Sequence, residues 1–187
     1  MSKKQPKQVI DIPEPQISKF LFADTRMGWF WFIIRVWIGL QWVEAGWGKV
    51  TSPLWVGPHA GGAIKGFLLG ALVKSTGQHP DVQGFYVWWI KSVVMPNMQI
   101  FSHVVAFGEL LVGIGLILGI FTGIAAFFGS FMNMNYLLAG TVSVNPVLLF
   151  FQLLLILAWR TAGWIGIDRW LLPFLGTPWK PGKLFKK

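Results

Sequence analysis

Cysteine is absent from this 187-residue chain, which excludes disulfides, thiolate metal sites, iron–sulfur clusters and covalent catalysis through sulfur. Histidine is scarce: His59, His79 and His103 lie far apart without ligand spacing, so a self-contained metal or bis-histidine haem site is not expected. No phosphate-cradling or dinucleotide-binding glycine motif occurs, because the glycines fall inside apolar runs. The sequence therefore carries no recognisable redox cofactor of its own. Charge is also sparse, at 12% of residues against about a quarter in soluble domains.

Apolar and aromatic residues fill the space. The chain is 54% hydrophobic, with 12 Trp and 16 Phe and a mean hydropathy of +0.57. That composition belongs to a membrane protein. A net charge of +9 would otherwise raise nucleic acid as a partner, but Lys and Arg gather at the two chain ends, flanking apolar segments rather than lining a polar face. Membrane topology accounts for the charge, and no nucleic-acid partner is expected.

Residues 1–27 are polar, basic and proline-bearing, lack the apolar core and cleavage site of a signal peptide, and read as a cytoplasmic tail. Residues 28–172 form one membrane domain and 173–187 a basic C-terminal tail. The expected fold is an all-α four-transmembrane-helix bundle, with spans near Gly28–Gly48, Gln99–Phe121, Gly123–Gly140 and Asn145–Gly163, judged against the ~20 residues that cross ~30 Å of hydrocarbon. Both chain ends are basic and an even number of spans returns the chain to one side, so the positive-inside rule puts both termini in the cytoplasm of a multi-pass plasma-membrane protein. The 50–98 connection would then face outside. Trp29, Trp31, Trp159 and Trp164 would mark the inner interface, and Trp47, Trp55, Trp88 and Trp89 the outer one.

That connection holds two short amphipathic pieces. Ile64, Phe67, Leu68, Ala71 and Leu72 recur at helical spacing, and Gly62, Gly66 and Gly70 repeat every fourth residue, as in close helix packing. Phe85, Trp88, Trp89 and Val93 form a second patch, ended by Pro96. The two pieces either cap the bundle or float at the interface.

Polar residues inside the spans are the candidates for chemistry, since ionisable groups at bilayer depth are costly and seldom face lipid. In the first span Arg35, Gly39, Trp42, Gly46 and Lys49 share one helix face, while Glu44 points roughly 180° from Arg35. The second span contributes Glu109, with small residues Gly115, Gly119 and Gly123 at packing intervals. The third brings Gly129, Asn133, Tyr136 and Gly140 to one face. The fourth starts at Asn145-Pro146, a helix cap followed by proline at the first helical position, and carries Gln152. Asn133, Tyr136 and Gln152 serve either as interhelical hydrogen-bonding groups or as part of a site. Glu109 is the first partner expected for Arg35, in an architectural pair or a functional one.

The pattern R-x3-G-x2-aromatic-x3-G-x2-K in the first span, followed by E-x3-G-x-G-L-x-L-G-I-F-T, resembles the DoxX family of small four-span membrane proteins. It is carried by Arg35, Gly39, Trp42, Gly46, Lys49, Glu109, Gly113, Gly115, Gly119, Phe121 and Thr122. NMNYLLAGTVSVNP (133–146) and GWIGIDRWL (163–171) look more like its DoxD branch, and the likeness spans roughly residues 28–172. Gly123 departs from the basic residue that relatives carry after the F-T pair, leaving that turn without positive charge.

The resemblance implies a membrane subunit of a thiosulfate:quinone oxidoreductase, working with a second small DoxA-like subunit or within a larger membrane complex. Thiosulfate is a dianion, and Lys49, Lys65, Lys91 and His59 are available in or beside the outer connection. Quinone lives in the bilayer: Arg35 is the candidate for polarising a carbonyl, Glu109 for relaying protons, and Trp42 for flanking the ring, with Lys49, Asn133 and Tyr136 as further substrate-binding candidates. With neither cysteine nor metal ligands, the chain would need a partner or electron transfer within a ternary complex. The alternatives are a non-catalytic structural or anchoring subunit of a respiratory complex, and a small-solute transporter. Against the latter, no internal repeat is apparent.

Overall fold

The computed structural model describes residues 13–177; the expectations for residues 1–12 and 178–187, which are parts of the two basic tails, lie outside them. The fold is all-helical among the described residues. Its elements are α1 (Gln16–Ala23), α2 (Gly28–Val50), α3 (Gly62–Val73), α4 (Gly84–Trp89), α5 (Met98–Leu118), α6 (Thr122–Leu138), α7 (Asn145–Leu157), α8 (Trp159–Ala162) and α9 (Asp168–Leu175). The longest pairing is α2 against α5, and α6 packs on both α5 and α7.

The bundle buries its polar side chains within an apolar core of Trp31, Ile38, Trp42, Leu116 and Leu155 among others, and turns a further apolar face outward. Arg35, Glu109, Asn133, Gln152 and Asp168 are all at or below 2% exposure, whereas Ile33, Trp37 and Leu40 on α2, Ile100, Val104, Phe107, Leu111 and Ile114 on α5, and Phe127, Phe131, Phe150 and Leu153 on α6 and α7 are exposed. A soluble helix does the reverse; an outer apolar face with ionisable groups turned inward suits lipid. Among the described residues one helical stretch, Gly84–Leu118, is both long and apolar enough to cross a bilayer. α2 has 23 residues but carries Arg35, Glu44 and Lys49, α6 has 17, and α7 ends after 13, with Ala158 separating it from α8.

Three expected boundaries move. Pro96 does not end the second amphipathic piece: the chain passes from α4 through a π-helical turn at Ile90–Val94 and a short 3-10 turn at Met95–Asn97 directly into α5. The wider turn accommodates a residue that cannot donate a backbone hydrogen bond, and the Asn97 side chain donates instead to Val93 O at 2.9 Å. At the other end α5 stops at Leu118, not Phe121, because Gly119 takes a left-handed conformation (φ +67°) and caps it. The helix at 145 begins one residue early: Val144 is the cap, and Asn145 Nδ2 donates back to Thr141 O at 2.9 Å.

α3 and α4 close over the Lys49 end of the bundle. Ile64, Leu68 and Ala71 are buried with Val82, Tyr86, Ile90, Val94 and Ala139 in a second apolar cluster. Tyr86 donates to Asn135 O at 3.0 Å, and Lys74 Nζ to Gly140 O at 2.6 Å, so this piece is a docked cap. The glycines at 62, 66 and 70 do not make its contacts. A Cβ at Gly66 or Gly70 would meet nothing within 4 Å, because the buried face of α3 is the Ile64–Leu68–Ala71 side. At the opposite end, the expected tail contributes structure: Phe22 of α1 stacks on Trp31 at 5.8 Å, and the Trp31 indole donates to Leu21 O at 2.8 Å.

Candidate functional site

The α2 stripe faces α5, and its glycines explain how closely. A Cβ at Gly46 would lie 2.4 Å from Leu110 N, one at Gly39 would lie 3.0 Å from Gly113 O, and one at Gly113 would lie 2.6 Å from Val43 N. Each contact is backbone, so no side chain can swing aside. The two helices run antiparallel with their backbones nearly touching, the small-residue packing common in membrane bundles. This approach delivers Lys49 to Glu109.

Glu109, 2% exposed, is the hub. Lys49 Nζ stands 2.6 Å from its Oε2, and the Tyr136 hydroxyl donates to its Oε1 at 2.5 Å. The Lys49 ammonium also lies 5.3 Å from the Trp55 ring centre, and Phe67 of the cap meets Tyr136 edge-on at 6.0 Å. Three helices and the outer connection thus converge on one carboxylate. Both oxygens are occupied by charge-assisted donors, which are shorter and stronger than neutral ones.

Beside this cluster is a cleft of about 430 Å³ lined by Gln41, Trp42, Glu44, Lys49, Glu109, Asn133, Tyr136 and the start of α7 at Val144, Asn145 and Leu148. Behind the cleft-lining Asn133 lies a second buried amide, Gln152. An indole N–H can only donate, so Gln152 presents Oε1 to Trp42 Nε1 at 2.6 Å and its NH2 to Leu148 O at 3.2 Å. Gly129 makes room for Gln152: a Cβ there would fall 2.1 Å from a terminal atom of its amide. Of the candidate residues, Trp42, Lys49, Glu109, Asn133 and Tyr136 all line this one cleft.

Arg35 does not. It lies 14 residues before Lys49, roughly 21 Å along the helix, and is wholly buried. Its Nη1 donates to Leu116 O and, at 2.8 Å, to Ile117 O, while Nη2 donates to Ile165 O. The expected Arg35–Glu109 meeting is corrected: α5 ends level with Arg35, so the guanidinium meets the terminal carbonyls of α5, and Glu109 lies two turns farther on, within reach of Lys49. Cations at a helix C-terminus are favoured by the orphan carbonyls and the dipole. Gly119 and Gly166 leave the space, since a Cβ at either would meet the guanidinium at 2.7 and 3.0 Å.

Asp168 was not among the candidate site residues, though it stands in the GWIGIDRWL stretch. It is 0% exposed, with Oδ1 accepting from Phe121 N at 2.7 Å and Oδ2 from Thr122 N at 2.8 Å. A carboxylate thereby caps the start of α6 just where Arg35 caps the end of α5. The signal available in sequence was a lone acid between a glycine-rich turn and an amphipathic helix. Glu44 reaches the cleft wall although it shares no face with Arg35. Lys65, Lys91 and His59 are exposed and apart from the cleft, and no acid–histidine cluster able to hold a metal occurs among the described residues.

Comparison with curated proteins and with solved structures found no match. The family model named DoxX matches residues 30–146, a segment that contains Arg35, the whole α2 stripe, Glu109, Asn133 and Tyr136. The match covers well over half of the chain, which therefore belongs to the DoxX family.

Proposed function

We propose that this chain is a four-span membrane subunit resembling DoxD, with both termini cytoplasmic, that contributes to thiosulfate-to-quinone electron transfer together with a partner subunit. In this reading α2, α5, α6 and α7–α8 are the spans, and the Lys49 end faces outside. The observation that carries it is the Lys49–Glu109–Tyr136 cluster beside a cleft of about 430 Å³, large enough for a quinone ring, whose ligand sites typically run from about 300 Å³ upward.

Two thiosulfates yield tetrathionate and two electrons; quinone takes up those two electrons and two protons to become quinol. The chain offers no redox group, so electrons arrive from the partner or directly from thiosulfate held against quinone. Its own residues handle position and protons. Lys49 and Tyr136 are N–H and O–H donors lining the cleft, Glu109 links them and exchanges protons between them, and Glu44 on the cleft wall gives a second carboxylate on the route. Trp42, fixed by Gln152, supplies a flat apolar wall. Arg35 takes an architectural part, since its terminal nitrogens are bound to backbone carbonyls.

The test is thiosulfate-dependent quinone reduction by purified protein, with and without a candidate partner, for wild type, Glu109→Gln and Tyr136→Phe. Loss of turnover on an intact complex is expected, by about 10²–10⁴-fold if Glu109 is a proton-transfer group. Full turnover by Glu109→Gln would end the proton-relay role. A second reading, a non-catalytic anchoring subunit, draws on the fact that both Glu109 oxygens are already partnered. It expects Glu109→Gln to weaken assembly and leave turnover per assembled complex unchanged.

A further inference from the structure

At the Arg35 end, a second cleft of about 530 Å³ opens between the start of α2, the end of α5 and the 164–170 segment, lined by Thr25, Trp29, Leu118, Trp164, Arg169 and Trp170 among others. It is distinct in place and composition from the Glu109 cleft. Its walls are mostly apolar, its rim is indole, and its single cation is Arg169.

We propose that this cleft seats a phospholipid with an anionic headgroup, its phosphate on Arg169 and one acyl chain along the apolar wall. Three features carry the assignment. First, Arg169 stands within 5.0 Å of the Trp164 ring centre and 6.0 Å of the Trp170 ring centre, so the guanidinium is stacked and oriented, yet it pairs with no carboxylate among the described residues. Its neighbour Asp168 is committed to Phe121 N and Thr122 N, and Asp24 and Glu14 are held by Arg26 and Arg160. A planar fork without an anion is suited to a phosphate diester.

Second, the backbone N–H groups of Ile165 and Gly166, which both line the cleft, donate to no acceptor among the described residues. Successive unpaired amides form an anion-binding concavity. Third, Trp29 and Trp170 are 67% and 68% exposed, beside the outward apolar belt of α2 and α5. Amphipathic indoles concentrate at headgroup depth in membranes. Cation, amides and indoles thus meet at the level where a lipid phosphate lies, and Leu118 and Ile167 lead from it toward the apolar face.

The test is native mass spectrometry of the full-length protein in detergent, titrated with phosphatidylglycerol or with phosphatidylcholine of identical chains. Wild type is expected to hold phosphatidylglycerol at least about fivefold more tightly, the factor that one basic residue near an anionic lipid provides. Arg169→Gln should abolish that preference, whereas Arg26→Gln, at an exposed arginine already paired with Asp24, should keep it. Excess inorganic phosphate should leave the bound lipid in place, because the acyl chain contributes to retention. Equal binding of the two lipids, an unchanged preference in Arg169→Gln, or displacement of the lipid by phosphate would each overturn the assignment.

Discussion

Glycines at helical spacing recur in this chain, but the structure separates those that let backbones touch from those that do not, and substitution should expose the difference. A methyl group added at Gly46 would lie 2.4 Å from Leu110 N and 2.8 Å from Leu110 Cα, about 1 Å inside ordinary contact. Because both atoms are backbone, α2 and α5 must move apart. Overpacking of this kind costs about 1–3 kcal/mol, offset by the roughly 0.5–1 kcal/mol that Gly→Ala contributes to a helix. At Gly66 the same methyl meets nothing within 4 Å, so only the favourable helix contribution remains. The two variants should differ by about 2 kcal/mol, or roughly 4–8 °C in Tm for a chain of this size. Thermal unfolding in detergent, followed by helical circular dichroism, measures it. Since Lys49 follows Gly46 by less than a turn, Gly46→Ala should also loosen the 2.6 Å Lys49–Glu109 contact. Equal stability of Gly46→Ala and Gly66→Ala would refute the close α2–α5 approach on which the site geometry rests.

Two further outcomes are expected from the ion pair and the cap. Lys49→Met should destabilise the fold by up to about 3–5 kcal/mol, the cost of leaving a buried charge without its partner, reduced because Lys49 is 23% exposed; the double variant Lys49→Met/Glu109→Leu should recover much of that loss in the same thermal assay, and failure to recover would show that Glu109 is held mainly by Tyr136. Asp168→Asn keeps one acceptor oxygen for two backbone donors, so either Phe121 N or Thr122 N loses its bond; a cost of about 1–3 kcal/mol should appear in unfolding, with faster hydrogen exchange confined to the α5–α6 turn.

The α2 stripe was legible in the sequence because angular position on a helix follows from spacing alone, and the same reasoning placed Ile64, Leu68 and Ala71 on the buried side of α3. Depth was less legible. Arg35 and Lys49 share a face, and spacing cannot say which of them meets Glu109; that depends on how far α5 slides along α2. The long 50–98 connection leaves this slide open, and the π-helical turn at Ile90–Val94 lets the α5 helix extend back to Gly84. α5 consequently ends level with Arg35, not with the start of α2. Asp168 escaped notice for a related reason, since its partners are backbone amides at 121 and 122, which no side-chain pattern announces.

The two charged poles of the bundle differ in what they bind, and that difference bears on function more than burial does. Arg35 and Asp168 direct their bonds to backbone groups at the end of α5, at the start of α6 and at Ile165 in the turn before α9. Backbone partners cannot move without unfolding the turn, so this pole fixes where the hairpin reverses and has no freedom to exchange protons. At the other pole Glu109 is held by side chains, Lys49 and Tyr136, that can rotate, and a cleft adjoins it. A carboxylate whose partners can release it, beside space for a second molecule, is able to take part in a reaction. In the proposed reading the chemistry belongs at the Lys49 end, and replacing Arg35 should lower the thermal stability of the bundle without changing the proton-exchanging groups of the cleft.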